Sequence, residues 1–283
     1  MIDTLYIIGN GFDLHHGLRT SYTNFRDDYV CKKQRLWNSL STIYGDHIDK
    51  EMWWWNFEEM LGQIDYLNLK NAPNGVALGA SNIKNLLESE VPFFFGDWIG
   101  HVDDKANPDE SLGIDNTSLF FTFNYTLLLE KVYGVSESNV WHIHRSINDI
   151  KHGNNPIVGH DSDGGQLVRY TQDYNKGNQK VSASFADTIN QAAINGAKKV
   201  KDIIYLNNDR FQQYADIKHF IVMGFSLNDI DLPYIERIIK VNNMIENTDW
   251  TLYCHFEGEY ENMINQLETV GIKREQILRP IKW

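Results

Sequence analysis

Apolar and polar positions along the chain repeat with two different periods, and these periods predict strands and helices in alternation. Thr4 to Ile8 is a short apolar run that ends at a glycine turn, which is typical of a strand buried on both faces of a parallel sheet. We expect this strand to be central in the sheet. Further runs predict strands at 118–123, 140–144, 157–159, 219–223 and 250–256.

Segments with helical spacing lie between these runs. They cover much of 21–69 and recur at 83–99, 127–132, 185–214, 235–241 and 260–270. Strands that alternate with helices predict a Rossmann-like, doubly wound α/β fold with a mostly parallel sheet. We expect residues 1–283 to form a single domain, with 21–116 as a mostly helical inserted lobe and the polar stretch 161–178 as a mobile loop.

Composition narrows the environment and the partners. The chain has 26 Lys and Arg residues against 38 Asp and Glu residues, a net charge of −12, and no basic block. This charge disfavours bulk nucleic acid as a partner, because phosphate backbones would be repelled. The two cysteines supply neither a disulfide framework nor a four-thiolate zinc site. No signal peptide or long apolar run is visible, so we expect a cytoplasmic protein with no membrane association.

The first predicted strand leads into the turn Gly9, Asn10, Gly11, Phe12 and Asp13. Two close glycines let a backbone turn tightly and approach a diphosphate, whose charge would lie at a helix N-terminus. The third glycine of a dinucleotide fingerprint is not met, and a plain tight turn is an equally good interpretation.

Polar residues also follow three later strands, at the edge where parallel sheets bind ligands. Asn124 follows the second strand and can bind a sugar or cap the next helix. Alternation places His142 and His144 on the same face, and either is a candidate general base or a structural histidine. We find no third ligand at a spacing that would complete a histidine metal site, and we expect no metal.

The segment 224–231 repeats the design of a strand followed by a glycine turn. Its Ser226 and Asp229 offer a hydroxyl and a carboxylate to a ribose. Helix capping by Asp229 or Asp231 is the alternative interpretation of the same residues.

In this order, the motifs resemble the AbiH family of bacterial phage abortive-infection proteins. The segments that carry the resemblance are 7–22, 121–126, 142–144 and 224–229. The first is a long and specific string, the others are short, and together they span most of the chain.

The same series more distantly resembles the sirtuin-like NAD-consuming domains of antiphage systems, and it implies a sirtuin-like fold. By position, this resemblance implies that Gly9, Gly11 and Asp13 line a dinucleotide and that Asn124 holds the nicotinamide ribose. It implies that His144 is the base.

The remaining element of that resemblance is the turn after the later glycine, where Ser226 and Asp229 would contact the adenosine half. Two residues depart from the pattern of those domains, since Thr126 stands where they often have Asp and Arg145 where they have Gly. Arg145 puts a bulky cation beside the implied base.

The resemblance implies an antiphage protein that binds a dinucleotide and hydrolyses NAD, its substrate, at the bond between nicotinamide and ribose. A non-catalytic nucleotide-binding sensor is one alternative. A metal-dependent nuclease or nucleotidyl hydrolase that uses Asp13, Asp229 and Asp231 with Mg²⁺ is another. The expected partners are a small-molecule nucleotide and a phage-derived trigger or host protein, and a homo-oligomer is left open.

Overall fold

The computed structural model describes residues 2–64, 82–102, 105–160 and 183–283. The chain divides into two compact units. The first consists of Met1–Thr20, Val102–His152 and Val200–Trp283, and the second of Ser21–His101 and Gly153–Lys199. The expected single domain with a lobe at 21–116 stays a prediction, and the predicted mobile loop 161–178 lies outside the described residues.

The first unit is built on a six-stranded sheet in which every pair of neighbouring strands is parallel. Its strands are β1 (Thr4–Ile8), β2 (Leu119–Thr122), β3 (Val140–His142), β4 (His219–Met223), β5 (Asp249–Cys254) and β6 (Ile281–Lys282). Their order across the sheet is β3-β2-β1-β4-β5-β6. This is the strand order of the Rossmann fold, and β1 is central as predicted.

The α-helices are numbered in chain order and lie on both units. They are α1 (Asn10–His15), α2 (Tyr22–Asp28), α3 (Gln34–Tyr44), α4 (Glu51–Trp55), α5 (Phe57–Leu61), α6 (Val91–Ile99), α7 (Leu128–Tyr133), α8 (Ile147–Lys151), α9 (Ala183–Asn195), α10 (Val200–Leu206), α11 (Asn208–Phe211), α12 (Leu232–Val241) and α13 (Glu257–Thr269). Helical structure runs without a break from 82 to 99, as the apolar spacing there predicts.

Both faces of the sheet are covered, which explains why its strands are apolar almost throughout. On one face, Ile7 and Val222 pack in a core that includes residues of α12 and α13, such as Ile235 and Ile264. On the other face, Ile8 packs in a core that includes residues of α7. The fold class predicted from the alternation of strands and helices is therefore confirmed.

One strand prediction is wrong, and one strand was not predicted. Residues 157–159 do not form a strand; the backbone N–H of Gly159 instead lies 3.4 Å from Oε1 of Glu58, so a side chain takes the place of a strand partner. The short β6 was not expected, because Ile281 and Lys282 are exposed and lack the apolar run that marks a buried strand.

The second unit has an aromatic core instead of a sheet in its described residues. The ring of Phe25 lies 5.8 Å from that of Phe57 and 5.3 Å from that of Phe95, and Trp54 stacks on Phe57 with ring centroids 5.3 Å apart. Large aromatic side chains bury much apolar area per residue, so helices as short as α4 and α5 can be held by packing.

Candidate functional site

The candidate site lies where the sheet reverses its direction of winding. From β1 the chain order runs through β2 and β3 on one side and through β4, β5 and β6 on the other. In doubly wound sheets the carboxyl ends of the two strands at such a switch point border the ligand crevice. Here those strands are β1 and β4, and each is followed by a glycine turn at Gly9 or Gly224.

The two glycine turns are packed backbone against backbone. The N–H of Gly11 donates to the carbonyl oxygen of Gly224 at 2.8 Å, and the N–H of Gly9 donates to the carbonyl oxygen of Met223 at 3.0 Å. A Cβ placed on Gly224 would lie 2.1 Å from the backbone nitrogen of Phe12, and one on Gly9 would lie 2.5 Å from the Gly224 oxygen. We call Gly9, Gly11 and Gly224 the glycine seam.

The glycine seam gives these residues a role that the sequence did not reveal. Two of the amides expected at a phosphate are already bonded, Gly9 to the last residue of β4 and Gly11 to the turn after it, so the glycines are needed for close contact between these segments. Of the predicted nucleotide contacts in this turn, Asn10 is exposed, Gly11 is half-buried, and Gly9 and Phe12 are buried. Their contact with a nucleotide stays a prediction.

Asp13, on α1, is 1% exposed and has a partner on each carboxylate oxygen. Nδ2 of Asn124 donates to Oδ1 of Asp13 at 2.9 Å, and Oγ1 of Thr126 donates to Oδ2 at 2.8 Å. Burial raises the pKa of Asp13 to about 7, although these two hydrogen bonds act in the opposite direction. The carboxyl group therefore changes its charge near neutral pH.

Asn124 is held from several sides at the end of β2. Its N–H donates to Oγ1 of Thr122 at 3.1 Å, and its carbonyl oxygen lies 2.7 Å from Nδ1 of His142. Its side-chain nitrogen donates a hydrogen bond to Asp13. The side-chain oxygen Oδ1 is buried and has no hydrogen-bond partner among the described residues. Buried polar atoms are nearly always bonded, so an orphaned acceptor of this kind suits a ligand.

His142 connects this loop to α7. While Nδ1 faces the carbonyl oxygen of Asn124, Nε2 lies 2.9 Å from Oε1 of Glu130. The two ring nitrogens thus face two oxygen atoms, one of a backbone carbonyl and one of a carboxylate. Asp13, Asn124, Thr126, Glu130 and His142 form one connected set, which we call the polar network.

His144 has different neighbours from His142. It is 2% exposed, its ring packs against Phe123 and Tyr234, and its Nε2 lies 3.6 Å from Oδ1 of Asp231. The expectation that alternation places both histidines on one face is wrong, because β3 ends at His142 and the chain turns immediately afterwards.

The turn after β3 contains Arg145 with φ of 74°, a left-handed conformation that favours glycine. Leu227, after β4, has φ of 54°. Non-glycine residues in this conformation cluster at functional sites, because the surrounding structure must hold them there.

The turn after β4 brings a second aromatic ring to the same edge. Phe225 stacks on Phe123 with ring centroids 4.1 Å apart, so the turns after β2 and β4 are in contact. The predicted adenosine contacts Ser226 and Asp229 are exposed, and Oδ1 of Asp229 lies 3.4 Å from Nε2 of Gln266. Their role in binding stays a prediction.

Residues that follow the first four strands are in contact with one another. Asp13 contacts Asn124 directly, Phe123 joins the turns after β2 and β4, and His144 packs beside Phe123. Sequence reasoning missed Glu130, whose only signal is an acidic residue in the first turn of a helix that follows a strand end.

Metal centres and membrane-spanning helices are both absent from the described part of the chain. It holds no group of three or more His, Cys, Asp and Glu side chains that could bind a metal ion. None of its helices has the length and apolar character needed to cross a bilayer.

The strand order, the covered faces and the paired turns at the switch point define a doubly wound α/β protein of the Rossmann type. Within that class, the chain belongs to the AbiH family, described as bacteriophage abortive infection AbiH, whose profile matches residues 5–254. A comparison with curated proteins finds no match. The matched range includes the glycine seam and the whole polar network, and the family assignment expected from the motifs is confirmed.

Proposed function

We propose that this AbiH protein acts in abortive infection by hydrolysing NAD at the bond between nicotinamide and ribose. The family suggests a role in phage abortive infection. The resemblance to sirtuin-like domains, together with the fold, is the reason for proposing NAD as the substrate. A phage-derived or host protein would trigger the activity in the infected cell.

The observation that carries the proposal is the buried Oδ1 of Asn124 at the carboxyl edge beside the switch point, which no described residue bonds. This oxygen can accept a hydrogen bond from a ribose hydroxyl or from the attacking water. The same loop contains Phe123, and the ring of Phe123 packs against His144, the proposed base.

The proposed reaction is the displacement of nicotinamide by water. Water attacks the anomeric carbon of the nicotinamide ribose, the carbon–nitrogen bond breaks, and neutral nicotinamide leaves with the electron pair. The proton released from water passes to His144 and then to solvent, and ADP-ribose is the second product. Asp231, 3.6 Å from the His144 ring, would stabilise the imidazolium that forms.

A nucleotide-binding sensor is the first alternative, and it would use the same site without turnover. Calorimetry would then give saturable binding of NAD while nicotinamide release stayed at background. A metal-dependent nuclease is less well supported, because both carboxylate oxygens of Asp13 already accept hydrogen bonds within the polar network.

The test is to incubate the purified protein with NAD, with and without Mg²⁺, and to identify the products by mass. We expect nicotinamide and ADP-ribose in equal amounts without added metal. We expect Asn124→Ala and His144→Ala each to lower the rate about 100-fold or more. The measurement is nicotinamide release over time.

Matched controls are available on α8 and just after it. Asn148→Ala and His152→Ala remove an exposed amide and an exposed imidazole, and both variants should keep the wild-type rate. Thermal melting should show that all four variants are folded. Full turnover by folded Asn124→Ala or His144→Ala would overturn the assignment, and no turnover by the wild type would overturn the proposed reaction.

A further inference from the structure

The side chain of Asn124 is an amide whose two ends are chemically different, and the surrounding groups decide which end a ligand meets. Nδ2 only donates hydrogen bonds and Oδ1 only accepts them. The orientation of an amide must be inferred from its partners, since nitrogen and oxygen have the same shape. The decisive partner here is Asp13, whose Oδ1 lies 2.9 Å from Nδ2 of Asn124.

A carboxylate has no proton to donate, so only the nitrogen end of the Asn124 amide can bond to ionised Asp13. The same orientation survives protonation of Asp13. Thr126, 2.8 Å from the other carboxyl oxygen, has a hydroxyl that can accept as well as donate. The added proton can therefore lie between Asp13 and Thr126, while Oδ1 of Asp13 continues to accept from Asn124.

The backbone of Asn124 is fixed independently of its side chain. Its N–H bonds to Thr122 and its carbonyl oxygen lies against His142, which Glu130 orients in turn. With the backbone held and Nδ2 engaged, rotation about the side-chain bonds would break the bond to Asp13. Within the described part of the chain, Oδ1 of Asn124 is left without a hydrogen-bond partner.

We propose that Asp13 is a positioning residue that turns the amide of Asn124 so that its oxygen, and not its nitrogen, is offered to the ligand. The ligand group at this point must then be a hydrogen-bond donor, such as a ribose hydroxyl or the attacking water. A phosphate oxygen or a carboxamide oxygen does not fit. The role in turnover rests on the proposed function, whereas the orientation of the amide does not.

This role differs from the one that the sirtuin-like resemblance implies for Asp13, which is direct contact with the dinucleotide. Asp13 is 1% exposed and both of its oxygens are engaged within the protein. It therefore acts on the ligand through Asn124.

The experiment measures hydrogen exchange of the Asn124 side-chain amide by NMR, with the signals assigned by their loss in Asn124→Ala. In the wild type we expect exchange at least about tenfold slower than for the exposed amide of Asn148. In Asp13→Leu, which has no acceptor at this position, we expect the protection to be lost. Asp13→Asn keeps an acceptor oxygen and should keep the protection.

Thr126→Val is the matched control, because it removes the other hydrogen bond to Asp13 and leaves the bond to Asn124 in place. Its Asn124 amide should stay protected. If NAD is hydrolysed, Asp13→Leu should lower kcat about 100-fold with a small change in KM, and Asp13→Asn should recover most of the loss. Thermal melting would check that the variants are folded.

The outcomes separate this inference from the proposed function. Lost protection in Asp13→Leu, with a wild type that does not hydrolyse NAD, would support the positioning role and overturn the hydrolase. Unchanged protection in Asp13→Leu would overturn the positioning role whatever the turnover. Lost protection with kcat within about twofold of wild type would overturn it also, since orientation would not matter for the reaction. If Asp13→Leu does not fold, fast wild-type exchange overturns the inference and slow exchange supports it.

Discussion

The glycine seam and the polar network both follow strand ends of one sheet, yet they are held together in opposite ways. In the glycine seam, the turns after β1 and β4 approach so closely that no side chain fits between Gly9, Gly11 and Gly224. In the polar network, side chains fill the space and bond to one another around Asp13. The seam depends on the absence of side chains, and the network depends on the titratable carboxyl group of Asp13. Added side chains should therefore destabilise the seam, and a change of pH should alter the stability that the network contributes.

The largest effect is expected in the seam, at Gly224. Gly224→Ala places a Cβ 2.1 Å from the backbone nitrogen of Phe12 at a residue whose φ is 61°. Backbone atoms cannot move aside cheaply, so we expect the free energy of unfolding to fall by about 4 to 5 kcal/mol. Urea unfolding measures this change.

Gly113→Ala is the control for that substitution. Gly113 has φ of 57°, but no atom of the described residues lies within 4 Å of an added Cβ, so only the left-handed backbone is penalised. The expected loss is about 1 kcal/mol. Equal losses for the two variants would mean that close approach contributes nothing to the seam.

The second effect is expected in the network and depends on pH. Burial raises the pKa of Asp13 from 3.8 to about 7, so the folded protein holds a proton that the unfolded chain releases between these values. The contribution of Asp13 is fully present below about pH 4 and is lost as pH rises through about 7. The wild type should lose on the order of 3 to 4 kcal/mol across this window relative to Asp13→Asn.

Urea unfolding of both proteins at a series of pH values gives that difference directly. Other titrating groups are common to the two proteins and cancel. A difference that stays constant from pH 4 to pH 8 would show that Asp13 does not titrate in this range, and the network would then carry a permanent charge.

The smallest effect is expected at Arg145, which has a left-handed backbone like that of Gly224 but is not a glycine. Arg145→Gly relieves the left-handed strain at φ of 74°, and the greater freedom of glycine in the unfolded chain offsets part of the gain. We expect stability to rise by about 0.5 to 1 kcal/mol. Arg145→Ala keeps the Cβ and should give no such gain, and a larger gain from Ala than from Gly in urea unfolding would contradict the assignment of strain.

The fold was readable from the sequence to the extent that it depends on local patterns. The apolar run from Thr4 to Ile8 and the turn after it predicted a central buried strand correctly. The role of Gly9 and Gly11 was not readable, because it is set by contact with Gly224, far away in the chain.

For the candidate site, the sequence predicted which types of residue follow the strands but not how they contact one another. Asn124 was expected at the edge of the sheet, but its bonds to Asp13 and His142 depend on how three strands align. Alternation failed at His144 because the strand ends two residues earlier, and sequence patterns fix element ends poorly.

The mutual packing of the two turns has a consequence for attempts to change ligand preference by directed evolution. A side chain can enter at Gly224 only if the backbone at Gly11 and Phe12 retreats, so single-site libraries at the seam would return mostly misfolded clones. Neighbouring positions on the same turn, Ser226 and Asn228, are exposed and can be randomised one at a time. Variants with altered ligand recognition can therefore be sought a few residues beyond the glycine seam, although the seam itself tolerates almost no substitution.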